Sequence, residues 1–159
     1  MILRPAVVGD AAALCDVANP IIRDTLVTFT TTLRQEAEMA EAIRAAQGAF
    51  FVAEVDGRAQ GYATCFEFRK GPGYAHTREH TILLSPALRG AGAGRALMAR
   101  LLDHARGQGV HVMVAGVSGS NPAGRAFHAA IGFAEVGVMP QVGFKFGRWH
   151  DLVLMQKIL

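Results

Sequence analysis

The sequence predicts one domain, residues 1–159, of the α/β (α+β) class, in which a mixed sheet carries helices on its faces. A length of 159 residues is typical of a single domain with a proper core, and no linker, repeat or low-complexity tract interrupts it. Apolar residues alternate between helical spacing and short strand-like runs, in the order β-α-α-β-β-β-α-β-α-β. An Asp-Gly turn at residues 56–57 joins two of these runs as an antiparallel hairpin. This order predicts a layered fold.

The first half of the chain predicts a strand, two helices and the hairpin. The Thr-rich segment 25–29 is a poor helix former, so we expect a loop or a short extended piece there. Gly48 ends the second helix. The predicted elements are a strand at 2–6, a helix that begins at 9–10 and continues through 21–22, a helix at 36–47, and strands at 49–55 and 60–66.

The second half alternates strands with helices. Ser85 and Pro86 end a central strand, whereas Asn121 and Pro122 cap the last helix, which ends at Gly132. The predicted strands are 79–84, 111–117 and 152–155, and the other predicted helix is 93–108.

Composition and charge exclude several classes of protein. The chain is 51% hydrophobic but has no block of about 18 apolar residues, so no membrane span is expected. The N-terminus lacks the pattern of a secretion signal, which indicates a cytoplasmic protein. The net charge is +3, but Lys and Arg are scattered without interleaved aromatics, so no nucleic-acid partner is expected. Cys15 and Cys65 form no metal motif and are expected to be buried thiols.

The most informative stretch is a glycine-rich loop between a strand and a helix. Its alternating glycines let backbone N–H groups at the positive end of the helix dipole approach a pyrophosphate. Two flanking arginines add positive charge. The predicted phosphate-binding residues are Arg89, Gly90, Ala91, Gly92, Ala93, Gly94 and Arg95. Two rival interpretations are a dinucleotide site, whose third glycine is absent, and a turn that only connects two elements.

Two ordered motifs carry a resemblance to a known family. The Arg89-x-x-Gly92-x-Gly94 loop resembles the acetyl-CoA pyrophosphate site of the GCN5-related N-acetyltransferases (GNAT), and residues 121–133 resemble the second half of that site. The resemblance covers essentially the whole chain. It implies a GNAT fold with a mixed, mostly antiparallel sheet, and acetyl-CoA as co-substrate without a metal. The residues implied to bind the pantetheine arm are Ile82, Leu83, Leu84 and Asn121.

Three further blocks narrow the resemblance. Residues 61–69, 76–81 and 139–151 are similar to the phosphinothricin and methionine sulfoximine N-acetyltransferase subfamily. This similarity implies acetylation of the α-amino group of small amino acids, such as phosphinothricin, methionine sulfoximine or methionine sulfone, in a detoxifying role, by a homodimer. The residues of the last block that are expected to line a substrate pocket or to meet a second subunit are Lys145, Arg148, Trp149 and Asp151.

Glu79 and His128 are the candidate catalytic residues. An amine attacks a thioester only as the free base, so a proton acceptor must lie near it. Glu79 falls on the subfamily's catalytic glutamate and is expected to accept the proton directly or through a water. His128 stands where many relatives place a tyrosine that protonates the leaving thiolate; the alternative is an imidazole that is merely packed and hydrogen-bonded. His80 is expected to face the opposite side of the sheet from Glu79.

The substrate side is predicted from charge and from the resemblance. A substrate carboxylate needs a cation, best a guanidinium that makes two parallel hydrogen bonds. Arg69 matches the subfamily's substrate loop and is the leading choice, whereas Arg78 stands where relatives are apolar or small. The expected substrate-binding residues are Phe29, Arg69, Lys70, Glu79, His80 and Thr81.

Three alternative functions stay open at this stage. The first is acetylation of another amine, such as a polyamine, an aminoglycoside or a protein N-terminus; a cationic substrate would need an acidic pocket, which the loop at Arg69 argues against. The second is a non-catalytic acyl-CoA sensor, which the presence of Glu79 argues against. The third is a nucleotide-binding module, which would prefer a dinucleotide to CoA.

Overall fold

The computed structural model describes residues 1–159, in which four α-helices flank a seven-stranded sheet. The strands are β1 (Ile2–Pro5), β2 (Phe50–Val55), β3 (Arg58–Glu67), β4 (Thr77–Leu84), β5 (Val112–Ser118), β6 (Ala134–Lys145) and β7 (Arg148–Ile158). The helices are α1 (Ala11–Asp24), α2 (Glu36–Ala45), α3 (Ala93–Gly107) and α4 (Pro122–Ala130). None of these helices combines the length and the hydrophobicity that a transmembrane span requires.

The sheet has the strand order β1-β2-β3-β4-β5-β7-β6, and only the β4–β5 pair is parallel. The predicted mixed, mostly antiparallel sheet with flanking helices is therefore confirmed. The predicted hairpin is present as well: Asp56 and Gly57, between β2 and β3, have φ values of 50° and 74°. A two-residue turn with both φ values positive matches the twist of the flanking strands, and Asp-Gly is a favoured pair for it.

The sequence-based order missed one strand, β6. Residues 134–142 are exposed, and the pairing with β7 shifts register between Glu135 and Gly137 and again between Met139 and Gly143. The strand therefore lacks the regular alternation of apolar and polar positions that identifies strands in a sequence. The predicted last strand was also too short. In the structure β7 begins at Arg148, directly after a tight turn at Phe146 and Gly147, whose φ values are 54° and 70°.

The sheet separates two hydrophobic clusters. The cluster on the α1–α2 side includes Leu14, Ile22, Met39, Val52, Tyr62 and Leu83. The cluster on the α3–α4 side includes Leu97, Met98, Leu101, Met113, Ala115 and Val153, with Ile82 and Leu84 packed against it. Because successive side chains of a strand point to opposite faces, Glu79 and Thr81 share the α1–α2 face of β4 with Leu83.

The middle of the sheet is split. The parallel pairing of β4 with β5 ends at Glu79 and Val114. Beyond these residues, β4 stays bonded to β3 as far as Leu84, and β5 stays bonded to β7 as far as Ser118. A wedge therefore opens between the two strands, and its facing edges carry backbone N–H and C=O groups that have no partner strand.

A buried lysine connects β6 to the loop after α1. The Nζ of Lys145 donates to the carbonyl oxygens of Ile22, Thr25 and Thr28 at 2.5, 2.7 and 2.8 Å, and the residue is only 2% exposed. Burial lowers the pKa of Lys145, but three acceptors for three ammonium donors favour the charged form. We call this set of contacts the Lys145 clamp. It holds the end of α1 and the beginning of the loop at 25–35.

Replacing Lys145 with Met tests the clamp. Methionine retains most of the apolar stem but leaves three carbonyl oxygens without their donor, so we expect the free energy of unfolding to fall by about 1–3 kcal/mol. Urea denaturation measures the change. Arg148→Met, at an exposed position of the same hairpin, is the control and should change stability by less than about 0.5 kcal/mol. Equal stability of Lys145→Met and wild type would contradict the clamp.

Candidate functional site

The wedge between β4 and β5 opens into a cavity of about 580 Å³, a volume that suits a small-molecule site. Its remaining walls come mainly from the loop at 25–35 and from α4, with further residues from the end of α1, from β3 and from β7. The residues of the two strands that line it are Glu79, His80, Thr81, Ile82, Leu83, Leu84, Ala115, Gly116, Val117 and Ser118. Because neighbouring residues of β4 point to opposite faces, the cavity is reached from both sides of the sheet.

The predicted glycine-rich loop lies between the end of β4 and α3. Gly90 and Gly92 have φ values of 77° and 78°, in the left-handed region that favours glycine. No side chain caps α3, so its first backbone N–H groups are available to an anion. Gly94 has a different task, because a Cβ there would lie 3.2 Å from the Phe127 ring and 3.3 Å from Leu84. The absence of a side chain at Gly94 allows α3 to pack closely against Phe127 and Leu84.

Glu79 lies where the two strands separate. A Cβ on Gly116 of β5 would be 3.3 Å from Glu79 Oε1, so a larger residue would crowd the carboxylate. The side chain is half-buried, and burial raises the pKa of Glu79. None of the ion pairs in the structure includes this carboxylate. An unpaired, partly desolvated carboxylate is suited to accept a proton from an amine.

Two buried histidines meet on the other face of β4. The Nε2 atoms of His80 and His128 are 3.2 Å apart, and Nδ1 of His128 lies 2.7 Å from the carbonyl oxygen of Gly124. A carbonyl only accepts, so Nδ1 of His128 carries the proton, and its Nε2 accepts from the Nε2–H of His80. Nδ1 of His80 is then left without a partner. Burial lowers the pKa of both imidazoles, and His128 lowers that of His80 further.

This arrangement bears on the predicted catalytic role of His128. Both of its ring nitrogens are engaged within the protein, so the neutral imidazole has no N–H left for a leaving thiolate. The geometry fits the packed, hydrogen-bonded alternative better, and the catalytic role stays a prediction. His80 lies on the opposite face from Glu79, as the alternation along a strand requires.

Comparisons with known proteins agree with this fold. Residues 19–133, more than half of the chain, match the family described as "Acetyltransferase (GNAT) family". The chain belongs to the GNAT family. The predicted membership is thereby confirmed, and with it the assignment of the chain as an acyltransferase.

Individual GNAT relatives cover nearly the whole chain. The L-amino acid N-acyltransferase MnaT of Escherichia coli (strain K12) is 39% identical over 98% of this chain and 92% of its own length. An L-methionine sulfoximine/L-methionine sulfone acetyltransferase of Salmonella typhimurium is 38% identical over 98% of this chain and 93% of its own. The crystal structure of a phosphinothricin acetyltransferase from Sinorhizobium meliloti in complex with acetyl-CoA has a TM-score of 0.93 at 34% identity, covering 99% of this chain and 88% of that one.

The GNAT cavity brings together most of the residues predicted for the site, but not all of them. The predicted residues that line it are Phe29, Glu79, His80, Thr81, Ile82, Leu83, Leu84, Arg89, Asn121 and His128. Arg69 and Lys70 lie outside the wall, exposed on the segment after β3, and the Arg69 guanidinium lies 5.6 Å from the centre of the Phe68 ring. Residues 90–95 follow β4 and are not part of the wall either. The roles of all these residues stay predictions.

Asn121 has a structural task within the GNAT fold. Its Oδ1 accepts from the N–H of Gly124 at 3.0 Å, which caps α4 as the sequence predicted. The amide nitrogen of the side chain makes no hydrogen bond within the protein and is free for a ligand in the cavity.

The final hairpin departs from the expectation that its polar residues line a pocket. Lys145 is used in the clamp, and Asp151 accepts from the backbone N–H of Gln141 at 2.9 Å. Arg148 and Trp149 are exposed, and none of these residues lines the cavity. The hairpin instead supports the cavity indirectly, because Gly143 packs against Phe29: a Cβ there would be 2.5 Å from that ring.

Sequence reasoning missed several residues of the cavity wall, above all Arg34. It lies in the loop at 25–35, just before α2, and lines the same cavity as Glu79. The segment has no periodic pattern and no glycine, so nothing local marks Arg34 as functional. Nowhere in the structure do three or more His, Cys, Asp or Glu residues form a group that could hold a metal ion.

His80→Gln tests the state of the histidine pair. Burial lowers both pKa values, so the unfolded chain binds more protons below pH ~6.5 and stability falls as the pH decreases. Glutamine keeps an N–H for His128 but does not titrate. Between about pH 6.5 and 4.5 the free energy of unfolding should therefore fall less in the variant than in wild type. The difference should be up to about 1.4 kcal/mol per pH unit. Denaturation at several pH values measures it.

The control for this experiment is His111→Gln, because His111 is an exposed histidine outside the buried pair. If the free energy of unfolding of His80→Gln depended on pH as steeply as that of wild type, His80 would not be a buried neutral imidazole.

Proposed function

We propose that this enzyme transfers the acetyl group of acetyl-CoA to the α-amino group of small amino acids, such as methionine sulfoximine, methionine sulfone and phosphinothricin. The observation that carries the proposal is one cavity in which the unpaired carboxylate of Glu79 lies at the vertex of a split sheet. The names of the relatives at 38–39% identity, which act on amino acids or on methionine derivatives, support the substrate class.

The protein offers complementary groups along the wedge for acetyl-CoA, which supplies the activated acyl group. Arg89 and the backbone N–H groups at 90–95 would hold the pyrophosphate at the start of α3. The unpaired backbone edges of β4 and β5 would accept the amide-containing pantetheine arm as a strand-like partner, with the Asn121 side chain beside it. No metal is required for this chemistry.

Glu79 would act as the general base. It accepts a proton from the substrate ammonium, directly or through a water, and leaves a free amine that can attack the thioester carbonyl. The raised pKa of Glu79 makes its carboxylate a better base than an exposed one. An unpaired backbone N–H at the edge of the wedge would stabilise the oxyanion that forms.

The experiment that tests the proposal measures release of the CoA thiol with L-methionine sulfoximine, L-methionine sulfone, phosphinothricin, spermidine and an aminoglycoside. We expect turnover with the first three. In Glu79→Gln, kcat should fall about 10²- to 10⁴-fold, because the base is lost. Wild-type kcat/KM should fall as the pH drops through the raised pKa of Glu79, since only the ionised carboxylate accepts a proton. Glu67→Gln, an exposed carboxylate of β3, is the control.

The outcomes separate the alternatives. Turnover with the cationic amines alone would contradict the substrate class but leave an acetyltransferase. Binding of acetyl-CoA without any turnover would indicate a sensor. Unchanged activity of Glu79→Gln would overturn its role as the base.

We propose in addition that the enzyme is a homodimer that pairs through the final hairpin. This hairpin leaves large apolar side chains exposed, and exposed apolar patches of this kind mark protein interfaces. The exposed residues are Val136, Val138, Met139, Val142, Phe144, Phe146 and Trp149. Phe144 and Trp149 pair across the two strands with ring centres 4.7 Å apart, which forms a rigid aromatic pair suited to a two-fold contact.

Trp149→Lys tests the dimer. Because the residue is 63% exposed, a charge there should leave the fold intact and disrupt only an apolar contact between subunits. Sedimentation velocity should show a dimer for wild type and a shift toward monomer for the variant. Tyr74→Lys, an exposed aromatic away from the hairpin, should stay dimeric. A monomeric wild type would refute the proposal.

A cytoplasmic location is proposed as well. Cys15 and Cys65 are buried free thiols, a state typical of proteins in reducing compartments, and acetyl-CoA is an intracellular metabolite. Acetylation of toxic amino-acid analogues there would give the enzyme a detoxifying role.

A further inference from the structure

The inner face of the final hairpin, which consists of Gly143, Lys145 and His150, holds a loop that forms one wall of the cavity. These three residues are the buried positions of the segment 143–150. Gly143 and His150 are direct partners across β6 and β7. None of the three lines the cavity, whereas Phe29, which packs against two of them, does.

Gly143 leaves room for the Phe29 ring. The φ value of Gly143 is not positive, so the backbone conformation does not require a glycine there. A Cβ would instead lie 2.5, 2.6 and 2.8 Å from Cδ2, Cε2 and Cγ of Phe29, which is closer than a real side chain can approach. The ring therefore occupies the space of a side chain at position 143, and an alanine there would displace it.

His150 holds the same ring from the neighbouring strand. Its imidazole stacks on Phe29, with ring centres 5.7 Å apart and ring planes 18° from parallel. A carbonyl only accepts, so Nε2–H of His150 donates to the carbonyl oxygen of Lys145 at 2.9 Å, which fixes the imidazole. The Phe29 ring is thus placed by a gap on β6 and by an oriented ring on β7.

Lys145 attaches the neighbouring part of the loop to the same face. Its Nζ donates to the carbonyl oxygens of Thr25 and Thr28 at 2.7 and 2.8 Å, and Thr28 directly precedes Phe29. The backbone before Phe29 and the ring itself are therefore both held by the hairpin. All three loop residues line the same cavity as Glu79. A wall that is ordered before a ligand arrives loses less entropy on binding.

We propose that Gly143 and His150 are positioning residues of the active site, which fix the Phe29 ring as a wall of the pocket for the acyl acceptor. The hairpin then sets the affinity for the amine without touching it. The inference rests on the proposed function. It concerns the acceptor and not acetyl-CoA, because the glycine-rich loop at 90–95 is no part of this wall.

The experiment measures kcat and both KM values, with L-methionine sulfone and acetyl-CoA, in three variants. In His150→Ala and Gly143→Ala we expect KM for L-methionine sulfone to rise about 3- to 10-fold, as for the loss of one aromatic pair. The kcat and the KM for acetyl-CoA should change less than about twofold, because binding shared by substrate and transition state affects only the KM of that substrate. His150→Phe keeps a stacked ring and should recover most of the affinity.

A double-mutant cycle shows whether the effect passes through Phe29. Phe29→Ala should raise the same KM, and adding His150→Ala should cause no further rise, because the ring that His150 holds is already absent. Additive rises would overturn the inference. Equal changes in kcat and in the KM for acetyl-CoA would overturn it too, because they would indicate a general structural role. An unchanged KM for the amine in both His150→Ala and Gly143→Ala would have the same meaning.

Two matched variants serve as controls. Gly137→Ala adds a methyl group on the same strand, at a position where no atom beyond the adjacent residues would lie within 4 Å of it. His111→Ala removes an exposed imidazole. Both should keep the wild-type KM for L-methionine sulfone, and a rise as large as that of His150→Ala would contradict a specific effect of the inner face. If wild type acetylates no amino-acid acceptor, the proposed function fails and this inference falls with it.

Discussion

The parallel pairing of β4 and β5 ends at Glu79 and Val114, and the rest of the site depends on the separation of the two strands beyond these residues. Paired parallel strands need a crossover connection, which α3 supplies between β4 and β5, and α4 follows β5 in turn. Since both strands run the same way, the N-termini of both helices come to the open end of the wedge. One of them carries the glycine-rich loop and the other is capped by Asn121. The end of the β4–β5 pairing therefore places the Glu79 carboxylate at the vertex and two helix N-termini at the mouth.

Each strand of the wedge keeps its outer partner. β3 pairs with β4 as far as Leu84, and β7 pairs with β5 as far as Ser118, so only the inner edges of the two strands are left unpaired. Unpaired backbone groups at the inner edges are costly when they are buried away from water. A ligand that brings its own amide groups removes that cost, which is why a peptide-like arm suits this opening better than a purely apolar one.

Local signals predicted much of the fold and part of the site. The Asp-Gly hairpin, the glycine loop and the Asn121 cap are encoded by neighbouring residues, and the structure contains all three. The remaining features depend on contacts between distant segments. The Lys145 clamp joins residues more than a hundred positions apart, and the histidine pair joins β4 to α4. The predicted anchor at Arg69 rested on a motif within one loop, whereas the path of a different loop decides that Arg34 lines the cavity.

The carboxylate of Glu79 has no charged partner within the protein. Burial raises its pKa, and none of the ion pairs of the structure includes it. A cation paired with Glu79 would stabilise the ionised form and lower its pKa, which would make the carboxylate a weaker base. Under the proposed function, the first positive partner of Glu79 is the ammonium group of the substrate. The position that leaves this carboxylate unpaired in the protein is therefore also the position that suits it to proton transfer.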